Sequence, residues 1–258
     1  MTATSKRASG ALIHPALDFL MLGGLSLLIP LLHFYPLFND PLVSNKLGWA
    51  AFYLAFVVNN PHFMHSYQLF YRGFPHKMHA MSRASQIRYL LAGVIVPFAL
   101  LNGILAGGMV GATMFLGYLV NLMFFLVGWH YAKQGFGILV VMAGRKGLFF
   151  QAIERKILLV NAYTIWALTW VKTNIVAQDH NYYGIPYATF DLPDILGPVT
   201  MAAGGLTTAA TLYVFFRLWM REKTLPVSGV IGYLAPIYLW LGFWNLNSAA
   251  FVFIPALH

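Results

Sequence analysis

Seven long apolar stretches dominate the chain, at residues 13–36, 48–71, 87–108, 113–143, 156–176, 196–220 and 227–247. Each matches or exceeds the ~20 residues that a helix needs to cross ~30 Å of hydrocarbon. With 59% of residues hydrophobic and only 9% charged, against about 25% charged in an ordinary soluble domain, a water-soluble fold has too little polar surface to cover them. The stretches are continuous rather than alternating in ten-residue segments, which speaks against strands. The sequence therefore predicts an all-α, polytopic transmembrane helix bundle of about seven spans. Residues 1–12, beginning "MTATSKRASG", are polar and are expected to form a mobile cytoplasmic tail. No linker, repeat or low-complexity tract divides the rest, so 13–258 is expected to be a single transmembrane domain.

The net charge of +9 does not point to nucleic acid, because the basic residues sit between the apolar stretches. Lys6 and Arg7, then Arg72, Lys77, Arg83 and Arg88, then Arg145, Lys146, Arg155 and Lys156, then Arg217, Arg221 and Lys223 all fall on one side of a seven-span arrangement. Lys46 and Lys172 fall on the other side, and Lys133 lies inside a span. Cytoplasmic loops carry the excess of Lys and Arg. The N-terminus is thus placed in the cytoplasm, as expected for an integral protein of a bacterial inner membrane. The 177–195 loop, "AQDHNYYGIPYATFDLPDI", is then external. Its aromatics read as an interfacial belt, with a lid as the alternative. The chain has no cysteine, so disulfides and Cys-ligated zinc or iron–sulfur centres are excluded.

The polar residues concentrate in one half. "NNPHFMHSYQLFYRGFPHKMH", residues 59–79, holds His62, His65, His76 and His79. Pro61 cannot donate a backbone hydrogen bond, so the helix is expected to kink or restart at Asn59–Asn60–Pro61. Beyond it, His62 and His65 are three apart and share a face; His76 and His79 repeat the spacing. His14 and Asp18 are four apart in "HPALD", and "GWHYAKQGFG" puts His130, Lys133 and Gln134 along one stripe of the fourth span. A charge in hydrocarbon costs ~2.5–3.5 kcal/mol on insertion scales, so Lys133 is expected to face the bundle or a polar cavity, with Asp18 as counter-ion by depth; if the lower third of this long span protrudes into the cytoplasm, Lys133 is instead interfacial. Imidazoles ligate iron, zinc and copper well. The metal reading ranks His62, His65 and His130 first, then His14, His76 and His79. Asp18 would ligate or orient an imidazole, and Lys133 and Gln134 would tune the pocket. Against it stands packing, since polar side chains commonly join membrane helices. His33 and His180, on the outer side, are read that way.

These motifs resemble two groups of histidine-rich integral-membrane non-haem iron oxygenases. The cytoplasmic His pairs are similar to those of fatty-acid desaturases and hydroxylases, although no His-His doublet is present. "HPALD" resembles the early H-G-A-x-D box of bacterial β-carotene dioxygenases over about five residues. Both resemblances imply non-haem iron and a hydrophobic small-molecule substrate taken from the lipid bilayer. Two alternatives remain: a haem-b electron carrier with axial imidazoles such as His65 and His130, or a transporter or accessory subunit of a larger membrane complex. At the C-terminus, "LGFWNLNSAAFVFIPALH" ends apolar, too short to cross again after Asn247. It is expected to begin an eighth span completed by a longer chain or by a partner membrane subunit, or else to lie in the outer interface.

Overall fold

The computed structural model describes residues 10–28, 40–176 and 181–243. Residues 1–9, most of the expected tail, and 244–258, the expected partner-facing end, lie outside the described residues, as do His33 and His180.

The described chain is almost wholly helical. In order it forms α1 (Pro15–Leu28), α2 (Pro41–Tyr71), α3 (Phe74–Ala80), α4 (Arg83–Met109), α5 (Thr113–Arg145), α6 (Ala152–Val176), a hairpin of β1 (Asn181–Tyr182) and β2 (Ile185–Pro186), α7 (Leu196–Glu222) and α8 (Val227–Phe243). Three helices, α4, α5 and α7, are long and apolar enough to cross a membrane. α1 and α8 are apolar but shorter. α6 is 25 residues long, yet Glu154, Arg155, Lys156, Lys172 and two buried asparagines dilute its apolarity. α2 is 31 residues long and carries asparagines, histidines and a lysine.

Local chemistry sets the breaks. α1 is irregular because Gly23 sits at φ 130°, a conformation that only glycine adopts readily. α2 runs unbroken through Pro61, where the sequence predicted a kink or restart. In α4, Pro97 has no N–H, so the carbonyl of Gly93 loses its helical partner. The Tyr71 hydroxyl donates to that carbonyl, and Phe70 stacks on Tyr89 nearby, which ties α2 to α4. α5 ends at Gly147 (φ 69°), where Leu148 N donates to Ala143 O, the long bond of a Schellman turn. α6 then starts with Glu154 accepting from Gln151 N at 2.7 Å, the reciprocal arm of a capping box.

The core lies among α5 to α8: Leu139, Leu148, Leu158, Ala162, Ile165, Val214, Leu218 and Tyr233 are at most 2% exposed. α8 packs closely on α5 and α1 through glycines. A Cβ at Gly232 would stand 2.6 Å from Ile138 Cγ2 and 2.9 Å from Leu22 O. Deep in the bundle, Asn161 joins three helices. Its Oδ1 accepts from Tyr233 Oη (2.7 Å) and Tyr238 Oη (3.1 Å), and its Nδ2 donates to Thr207 Oγ1 (3.2 Å).

Two ends can be told apart by contact. At one, Arg145 donates to the carbonyls of Gly10 and Ala11, Lys146 to Leu225 O, and Arg221 pairs with buried Glu154 at 3.3 Å. The start of the described chain and the α5–α6 and α7–α8 turns therefore share that end. Residues 10–12, read as part of a mobile tail, are held there. At the other end the 181–190 segment rests on α5 and α6, and Tyr183 Oη donates to Gly48 O of α2 at 3.2 Å.

Candidate functional site

Among the described residues, no three His, Asp or Glu side chains gather closely enough to hold a metal ion. His14 immediately precedes α1, makes no side-chain capping hydrogen bond and is exposed. His65, His76 and His79 are exposed too. His62 lies in α2, but its side chain is outside the described set. His130 is half-buried, its ring 6.0 Å from that of Tyr131.

Two expectations are corrected. Asp18 is 3% exposed, but its carboxylate accepts from Leu12 N (2.6 Å) and Ile13 N (3.1 Å), with the Arg145 charge near. It shapes the N-terminal segment, and both oxygens are engaged there rather than at Lys133. Lys133 is exposed, on the side of α5 away from Gly135 and Leu139, which are buried. Gln134 is half-buried, and its Oε1 is buried without a hydrogen bond.

The sequence reading overlooked a second cluster. The "NYYGIPY" segment is a tight hairpin: Tyr183 (φ 51°) and Gly184 (φ 94°) both have positive φ, as a type I′ turn requires. Gly117 lets Pro186 and Ala188 lie directly on α5. Asn121 Nδ2 fixes the strap by donating to Ala188 O (2.9 Å) and Asn174 Oδ1 (2.7 Å), and Phe190 N donates to the same Oδ1 (2.9 Å). This brings Tyr187 against Val120, Phe124, Tyr182 and Ile185. Phe124 meets Tyr187 at 6.0 Å and Trp240 at 6.4 Å, and Trp240 meets Tyr131 at 6.1 Å. Tyr187 is 7% exposed, and its hydroxyl is buried without a hydrogen bond. Burial pushes Tyr182, Tyr183 and Tyr187 above the usual phenol range, so all three stay protonated donors at physiological pH. The signal in the sequence was the Tyr-Tyr-Gly turn followed by Asn121 and Asn174, polar groups at membrane depth that need partners. No family model matches the chain, and no curated protein or solved structure matches it.

Proposed function

We propose that the chain is a seven-span protein of a bacterial inner membrane, N-terminus in the cytoplasm, acting as a metal-dependent oxidoreductase on a lipophilic substrate drawn from the bilayer, with iron as the metal. One observation supports the metal reading: His130 is half-buried on α5, one turn before Gln134, whose Oε1 is buried without a hydrogen bond. His65, one turn beyond His62, is the next donor; His14, His76 and His79 lie farther out. The orientation follows from the basic end that holds Arg145, Lys146, Arg155, Lys156 and Arg221.

Two imidazoles and an amide oxygen fall short of a closed iron site, so no reaction step is assigned to the metal. His130 and Gln134 of α5, with the histidines of α2, would bind and orient it, while the exposed apolar faces of α2 and α5 admit an apolar substrate. Elemental analysis and optical spectra of the detergent-purified protein test the reading. Iron should be bound, with no Soret band. His62→Ala and His130→Ala should each lose it, and His79→Ala should keep it. Absence of metal from the wild type, or full metal content in the double His62/His130 variant, refutes the reading. A Soret band lost in His65→Ala or His130→Ala shifts it to haem b.

A further inference from the structure

We propose that the Tyr187 cluster is a binding site for a neutral, flat, unsaturated lipophile that carries a carbonyl, a chemistry typified by quinones. The site lies where the 181–190 strap crosses α5, apart from the histidines, and stands whether or not a metal is bound. Its walls are the rings of Phe124, Tyr182 and Trp240 with Val120 and Ile185. Aromatic walls favour a flat π-faced body through offset and edge-on contacts. None of these residues is charged, which disfavours a carboxylate or an ammonium.

The selecting group is the Tyr187 hydroxyl. A buried hydroxyl without a partner costs stability, and almost every buried polar atom in a protein finds one. Phenylalanine would fill this position without that cost. The phenol is held protonated by its burial, so it offers a donor, which matches a carbonyl oxygen. Phe124, Tyr182 and Ile185 are each only half-buried, leaving one flank of the cluster open to the outer boundary of the helices.

Decylubiquinone is the probe, titrated into detergent-purified protein and followed by tryptophan fluorescence and by Tm; decylbenzene, which lacks the carbonyls, is the control. Wild type should bind the quinone saturably and decylbenzene more weakly. Tyr187→Phe should weaken quinone binding about tenfold, the loss of one hydrogen bond, while decylbenzene binding is unchanged. Without quinone, Tyr187→Phe should melt at or above the wild-type temperature, because no hydrogen bond is removed. Three outcomes overturn the proposal: no saturable quinone binding by wild type, equal quinone binding by Tyr187→Phe, or a lowered Tm in the quinone-free variant.

Discussion

Replacing Asn161 with alanine tests how much a polar knot contributes inside this bundle. The residue is fully buried and makes hydrogen bonds to Tyr233, Tyr238 and Thr207. In membrane proteins such bonds average ~0.6 kcal/mol, with a maximum near 1.7. Three of them sum to about 2 kcal/mol. The neighbours limit further loss. Tyr233 Oη also sits 2.7 Å from Leu158 O, and Tyr238 Oη lies 2.8 Å from Thr208 Oγ1, so neither phenol is orphaned when the amide goes. A penalty for stranded donors, about 1–3 kcal/mol each, is therefore not added. The expected destabilisation of Asn161→Ala is about 2 kcal/mol, measured by reversible unfolding in mixed micelles. A double-mutant cycle with Tyr233→Phe should return a coupling of roughly 0.6 kcal/mol. An Asn161→Ala variant within about 0.5 kcal/mol of wild type, or a cycle with no coupling, refutes the account of α6, α7 and α8 as polar-tied. A loss above about 4 kcal/mol refutes the claim that the tyrosines keep partners.

Two further outcomes follow from the packing and from the two ends. Gly232→Ala should destabilise by about 1–3 kcal/mol, the usual range for overpacking, because the new methyl meets Ile138 and the Leu22 carbonyl; Gly205→Ala, with open space around it, serves as control in the same unfolding assay, and equal stability of the two variants counts against the α1–α8 contact. A reporter inserted within 181–190 should read as external and one within 147–151 as cytoplasmic; the reverse result overturns the orientation.

The helices were legible because apolar length is a strong signal, and the described elements overlap all seven predicted stretches. Spanning capacity was less legible, since α6 trades apolar residues for Glu154, Asn161 and Asn174, which make interhelical contacts, and α2 carries asparagines, histidines and a lysine. Pro61 does not restart α2, which continues through it; in α4 the carbonyl freed by Pro97 is met by Tyr71, distant in sequence. Asp18 and Lys133 looked like a pair by depth alone. Nothing in their spacing shows that backbone N–H groups of Leu12 and Ile13 take both carboxylate oxygens first. The Tyr187 cluster was hidden for a related reason. Its members come from α5, the strap and α8, and their meeting depends on two asparagines binding the strap's backbone.

The seating of α1 on α8 has a temporal consequence. Gly23 rests against Ala235, and Leu22 against Gly232, so the first described helix finds its partner only when nearly the last has been made. At roughly 5–20 residues per second, the ribosome needs about 10–40 s to synthesise the intervening chain. During that interval the irregular first segment, with the buried carboxylate of Asp18 and the Gly23 bend, has no α8 groove to occupy. Its docking on α8 is a late step in biogenesis, and an insertase or chaperone that shelters α1 meanwhile acts before α8 has emerged.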